Sequence, residues 1–247
     1  GSAYSFDGTD DFIEVSHSSE LNFERTLCIA FWMKPDSWGG RPEEVGGIVS
    51  KMPNENTEPY EHGYAVFHSF NRNGKMSFRY NGEGLNQQDS PRAISESNAS
   101  VGEWEHWAVI YDRDSVSWYR NGALDKRHDN LPSVIRMVTD VPLHIGHAQH
   151  WDGWGFKTYY DGAIDDVRIY NRALTSDEVQ EIFALETLSS YTLEITGTTN
   201  GSVDGAGTYP GGTEATVTAS AALGYLFTGW TGDASGTLNL DGSARLG

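Results

Sequence analysis

Apolar and polar positions alternate with period two in short runs through the first 170 residues, and Trp107, Val109 and Tyr111 against Ala108 and Ile110 show the pattern. That spacing belongs to strands, whose successive side chains point to opposite faces. Asn73-Gly74 separates GYAVFHSF from KMSFRY, and Asn121-Gly122 separates SVSWYR from ALDKR. Each dipeptide supplies the positive φ angles of a tight hairpin turn. Strands follow one another without intervening helical segments, so the pattern predicts an antiparallel sandwich rather than a parallel α/β sheet. One helix is predicted: Thr175 and Glu178 form a capping box, and Val179, Ile182 and Phe183 follow at i, i+3 and i+4 spacing.

The composition shifts after Glu186. From Tyr191 the chain is rich in Thr, Gly, Ala and Val, and Arg245 is its last basic residue. Two domains are therefore expected, 1–186 and 187–247. The sequence of 247 residues is long enough to bury one substantial core and a small one. Gly1-Ser2 reads as a cloning remnant, which makes the chain an expected piece of a longer, multimodular protein. Nothing after Asp233 reads as a terminal hydrophobic strand, so 234–247 is expected to be poorly ordered or to cover an edge in another way.

Three strings carry a family resemblance: YSFDGTDDFIEV at 4–15, VGEWEHWAVIYD with SVSWYRNGALDKR at 101–127, and GAIDDVRIYNRALTSDEVQEI at 162–182. Together they resemble the LamG-like, concanavalin A-type jelly roll of the laminin-G and pentraxin-like families, over roughly residues 3 to 186. The tract GTYPGGTEATVTA with GYLFTGWTGD resembles the small β repeat related to the internalin B-repeat, with Tyr225, Phe227 and Trp230 as its core aromatics. The resemblance implies an all-β jelly-roll sandwich followed by a small second β domain, in which the first and last strands of the jelly roll lie close and share a calcium ion.

Calcium takes six to eight oxygen ligands. Asp7, Asp10 and Asp11 stand at one end of the jelly roll, Asp165 and Asp166 at the other. The resemblance implies Asp10 and Asp165 as the leading side-chain ligands, with backbone carbonyls near Gly8 or Asp161. Within IDDVRIY, Asp165 has the parity of Val167 and Ile169, so it is expected to point inward, where a carboxylate needs a partner. The alternative is that Asp10 and Asp11 cap a turn and Asp165 pairs with Arg168.

A formal net charge of -18 disfavours nucleic acid and anionic membrane as main ligands. Arg41, Arg72, Arg79, Arg92 and Lys157 are the residues from which a local site for an anionic glycan would be built. Cys28 is the single cysteine, so no intramolecular disulfide forms, and it reads as an inert core thiol. No apolar run reaches the ~18 residues of a membrane span.

The loop HAQHWDGWGFKTYY, 147–160, concentrates aromatic residues beside glycines. Sugar rings offer an apolar face and a hydroxyl rim, which a flat aromatic platform with flanking polar groups recognises. Trp151, Trp154, His147 and His150 are the leading candidates, with Trp38, Arg41 and Tyr60 from two earlier loops; the alternative is that both tryptophans fold back as a lid over the core. Trp32, Trp104, Trp107 and Trp118 read as core or sheet-face residues. His144, His147 and His150 form an H-x2-H-x2-H series whose members need not converge on zinc. A retaining glycosidase needs two carboxylates about 5 Å apart, and the jelly-roll E-x-D-x-x-E run is missing, as are G-x-S-x-G and the lyase motifs. The expected protein is a non-catalytic, calcium-stabilised carbohydrate-binding module from a secreted bacterial protein, covalently linked to a polysaccharide-degrading catalytic module. A surface adhesion or protein-interaction module is the alternative, and an unrecognised jelly-roll hydrolase or lyase the third.

Overall fold

The computed structural model describes residues 3–37, 46–52, 63–70, 74–81, 92–131, 139–148, 158–187, 190–196, 199–210, 215–230, 236–238 and 243–246. The chain divides into two compact units, Ala3–Phe183 and one that takes in Ala184–Gly247. In chain order, the strands of the first unit are β1 Tyr4–Asp7, β2 Ile13–Val15, β3 Thr26–Pro35, β4 Gly46–Lys51, β5 Gly63–Phe70 and β6 Lys75–Asn81. They continue with β7 Arg92–Asn98, β8 Glu105–Asp112, β9 Ser115–Arg120, β10 Ala123–His128, β11 Leu143–Ile145 and β12 Asp161–Tyr170; helix α1, Ser176–Thr187, follows.

Among the described residues these strands form two six-stranded antiparallel sheets, ordered β1-β12-β3-β8-β9-β10 and β2-β11-β4-β5-β6-β7. The alternation read in the sequence divides each strand between two environments. Leu27, Ile29, Phe31 and Met33 of β3, with Trp107, Val109 and Tyr111 of β8, enter the main core beside Tyr64, Val66 and Phe78 of the second sheet. The opposite side of the first sheet is apolar as well: Cys28, Ala30, Ala108, Ile110 and Tyr119 form a second cluster with Leu174 and Val179, against which Ile182 packs. Small residues on β3 and β8 leave room there for α1. Its capping box is reciprocal, since Thr175 N donates to Glu178 Oε2 at 2.8 Å and Glu178 N to Thr175 Oγ1 at 3.2 Å.

Asn121 and Gly122 both adopt positive φ, 49° and 77°, as the β9–β10 hairpin requires. Trp107 and Trp118 are fully buried, but Trp104 is 42% exposed, because it precedes β8 and lies outside its alternation.

The second unit contains β13 Ser190–Leu193, β14 Gly201–Asp204, β15 Gly207–Pro210, β16 Ala215–Ala221, β17 Gly236–Leu238 and β18 Ser243–Leu246. β13 pairs with β15, and the order β14-β16-β18-β17 makes a four-stranded sheet. Two expectations are corrected here. Residues 236–238 and 243–246 do form strands, because backbone pairing of β18 with β16 needs no hydrophobic run. Tyr225 is 57% exposed rather than a core residue, since it follows the end of β16; Phe227 and Trp230 do pair edge-to-face, with centroids 5.3 Å apart.

Candidate functional site

β11 places His144 opposite Glu14 of β2 on one side and Ser50 of β4 on the other. Gly146, at φ 82°, then turns the chain; a Cβ there would lie 2.3 Å from the Phe6 ring, so only glycine fits. The turn delivers His147 to a bridge with Tyr159. The ties close around it: Tyr160 N donates to Gly146 O at 2.9 Å, and Thr158 Oγ1 donates to Ala148 O. The backbone positions of Ala148 and Thr158 are thereby fixed to each other.

An aromatic cluster results. The His147 ring stacks on Tyr159 at 4.2 Å and 21°, and Phe12 lies 5.6 Å from His147 and 5.1 Å from His144. Phe12 is 43% exposed. Burial, assisted by the neighbouring His144, pushes the His147 imidazole down to about 4, so it is neutral at physiological pH. Its Nδ1 is buried without a hydrogen-bond partner. Glu14 rims the cluster, its Oε2 3.3 Å from His144 Nε2. Aromatic rings edged by a carboxylate are the kind of surface that suits a sugar ring.

Of the residues expected to bind carbohydrate, His147 is in this cluster. Trp38, Arg41, Tyr60, His150, Trp151 and Trp154 lie outside the described residues. Phe12, Glu14 and Tyr159 were not singled out in the sequence, although an aromatic residue following two aspartates in a turn, DDFIEV, was a visible signal.

The acidic residues are distributed differently from expectation. Asp7, Asp10 and Asp11 present carboxylate oxygens within 4.8 Å of one another. Asp7 Oδ1 accepts from Thr9 N at 2.8 Å and Asp11 Oδ2 from Asp7 N at 3.2 Å, so the turn also uses these groups as backbone caps. β1 pairs Asp7 with Asp161, whereas Asp165 stands four residues further along β12, beyond Ile164, the partner of Tyr4. That separation is about 13 Å at ~3.3 Å per residue, so the register sets Asp165 apart from Asp7.

Nor does Asp165 point inward. Asp166 adopts φ 47° at a bulge between Asp165 and Arg168, and this reverses the alternation. Ile164 and Ile169 both reach the core, while Asp165 stands opposite Trp32, whose ring meets Phe183 of α1 on the helix side. Asp165 Oδ1 accepts from Asp166 N at 2.9 Å, and Asp166 Oδ1 lies 4.0 Å from Arg168 Nη2. Glu105 is buried and committed to structure: it accepts from Trp107 Nε1 at 3.0 Å and Ser100 N at 3.1 Å and pairs with Arg120. Among the described residues no helix is long and apolar enough to cross a membrane.

Residues 7–180 match the family described as the concanavalin A-like lectin/glucanases superfamily, and 191–245 match the divergent InlB B-repeat domain. No curated protein matches the chain. Among solved structures, the binding domain of Paraclostridial Mosquitocidal Protein 1 is similar with a TM-score of 0.56 at 16% identity, over 77% of this chain and 45% of that one. Domain 4 of AbnA, a GH43 extracellular arabinanase from Geobacillus stearothermophilus, in complex with arabinotriose, is similar with a TM-score of 0.51 at 18% identity, over 73% of this chain and 75% of that one. The botulinum neurotoxin serotype D binding domain gives 0.54 at 12% identity, over 76% of this chain and 43% of that one. At these identities the likeness is one of fold.

Proposed function

The chain belongs to the concanavalin A-like lectin/glucanases superfamily through residues 7–180, and from that premise we propose that it is a non-catalytic, calcium-stabilised carbohydrate-binding module of a secreted, multimodular polysaccharide-degrading protein. The observation that carries this reading is the cluster of exposed Phe12 with partly buried His147 and Tyr159, rimmed by Glu14. Trp151 and Trp154 belong to the segment that leaves this cluster at Ala148 and returns at Thr158, so they are proposed to extend the same platform. The fold is compatible with an appended binding role: Domain 4 of the extracellular arabinanase shares it and was solved with arabinotriose. Tethering such a module to a catalytic partner raises the partner's effective concentration at a polymer.

The proposed calcium site is Asp7, Asp10 and Asp11. Three carboxylates within 4.8 Å repel one another, and their hard oxygens are the donor type that calcium takes. The backbone caps leave other carboxylate oxygens available for an ion. When bound, the ion would supply charge neutralisation and hold the turn after β1, next to the β1–β12 pair. The match of 191–245 to an InlB B-repeat favours a second reading, a module displayed on a cell surface.

Affinity electrophoresis against a panel of soluble polysaccharides tests the function. Retardation by at least one glycan is expected, and Phe12→Ala should weaken it by about 1 to 3 kcal/mol while the melting temperature holds. Reducing ends or unsaturated sugars released by the protein, and lost on substitution of a single carboxylate or histidine, would establish an enzyme instead.

A further inference from the structure

Among the described residues Glu14 meets no Lys or Arg; its partner is His144, with Oε2 3.3 Å from Nε2. Ile13 packs against the main core, so its neighbour Glu14 lies on the outer side of the second sheet, with its cross-strand partner His144. One register row runs from it across the sheet: Glu14, His144, Ser50, Ala65, Arg79 and Arg92 stand opposite one another in turn. The first arginine of that row is four strand spacings from Glu14, about 19 Å at ~4.8 Å each, well beyond the ~8 Å screening length of physiological salt. Lys51, the chain neighbour of Ser50, is fully buried, and its Nζ donates to Thr139 O at 3.0 Å and Val141 O at 2.7 Å.

The row opens to solvent at its Glu14 end. Ser50 is 1% and His144 4% exposed, whereas the Glu14 side chain is 57% exposed on the edge strand β2. Phe12, also accessible, approaches the same imidazole, its ring 5.1 Å from that of His144. An exposed carboxylate and an exposed ring therefore flank one histidine. The neighbouring His147 is neutral, and the faces of aromatic rings carry the negative end of a quadrupole. Asp10 and Asp11 immediately precede Phe12, and with Asp7 their carboxylate oxygens lie within 4.8 Å of one another. A divalent ion there would still leave the turn negative. Ring faces, Glu14 and this turn all favour positive charge.

We propose that the Phe12–Glu14 cluster selects an amino sugar in its ammonium form, the ligand class of glycans built from deacetylated 2-amino-2-deoxy residues. The ammonium pairs with Glu14 and the apolar face of the sugar lies on Phe12. The inference rests on the carbohydrate-binding reading and names the ligand of that same site. A protonated amine gains a charge-assisted hydrogen bond and attraction to the ring faces. An acetamide on the same carbon keeps a donor but loses the charge, and a uronate or sulfate is repelled. The net charge of -18 attracts any polycation, so the test has to separate this site from the bulk field.

Isothermal titration of the whole chain compares the trimer of glucosamine with the trimer of N-acetylglucosamine, at about pH 6 and ~150 mM NaCl. The two share backbone and linkage, so their difference reports the amine. Trilysine is the control for bulk attraction. The glucosamine trimer should bind at least about tenfold more tightly than the acetylated one. Glu14→Gln, at an exposed position, keeps an oxygen for His144 and removes the charge; it should bring that ratio close to one, while trilysine binds parent and variant alike. Phe12→Ala should weaken both trimers, with melting temperatures confirming that each variant is folded. No binding of the glucosamine trimer, an acetylated trimer bound as tightly, a preference that survives Glu14→Gln, or a parallel loss of trilysine binding would overturn the inference. In each of those cases retardation by the polysaccharide panel would keep the carbohydrate-binding reading. Failure of both trimers and the whole panel would remove that reading and this one together.

Discussion

Acidification from pH 6.5 to pH 5 should destabilise the sandwich through two buried histidines. His68 and His106 are 2% and 1% exposed, and burial pushes each imidazole down to about 4. His68 Nε2 and both ring nitrogens of His106 have no hydrogen-bond partner, and His106 also faces the positive charge of Arg168. In the unfolded chain both would take up protons near pH 6.5, whereas in the folded chain they remain neutral until about pH 4. Between these values the unfolded state binds more protons, so stability falls as pH falls. These two groups give a loss of about 3 kcal/mol between pH 6.5 and 5, above the range where most carboxylates titrate, and His147, likewise held down to about 4, adds a smaller share that the double variant below retains. Domains of this kind have roughly 5–15 kcal/mol in all, so the change should be plain in urea unfolding followed by tryptophan fluorescence, to which the buried Trp107 and Trp118 contribute. The control is His68→Phe with His106→Phe, which keeps aromatic volume and removes the unpartnered nitrogens. The double variant should be at least as stable as the parent at pH 7.5 and should lose most of the dependence on pH. A parent equally stable at pH 6.5 and 5, or a double variant that keeps the full slope, would refute the reasoning.

Calcium should raise the melting temperature and chelation lower it; Asp7→Asn or Asp10→Asn should abolish the difference, while Asp165→Asn should preserve it, as differential scanning fluorimetry would show. Gly146→Ala should cost at least about 2 kcal/mol, since it combines a strained φ with a clash against Phe6, whereas Gly102→Ala, at φ 79° with open space, should cost about 1 kcal/mol in urea unfolding. The Cys28 thiol, buried and pushed up to about 12, should resist alkylation in the folded protein and react only on denaturation, a contrast that mass spectrometry reads directly. A fragment ending at Thr187 should fold alone, whereas one ending at Leu174 should not, because Val179 and Ile182 of α1 cover Cys28, Ala30 and Ile110; circular dichroism and thermal melts distinguish the two.

Where local chemistry dictates structure, the sequence was legible. The capping box at Thr175 and Glu178, the Asn121-Gly122 hairpin and the β8 alternation act over a few residues, and each appears where the pattern placed it. The candidate site was legible only at His147. Phe12 and Tyr159 lie more than 140 residues apart and meet because β11 carries His147 between them. The expected inward direction of Asp165 failed for a related reason: a single left-handed residue, Asp166, inserts a bulge and transfers Asp165 to the other face.

By itself, then, the sequence determined the class of fold, its closing helix and the change of character after Glu186, because alternation, turns and caps are set by near neighbours. The tertiary structure alone decided which polar residues stand together. Register aligned Glu14, His144, Ser50, Arg79 and Arg92 from five strands across one face, and it parted Asp165 from Asp7. Register is a relation between segments far apart in the chain, and a shift of one residue exchanges the two faces of a strand. No window of neighbouring residues can encode that.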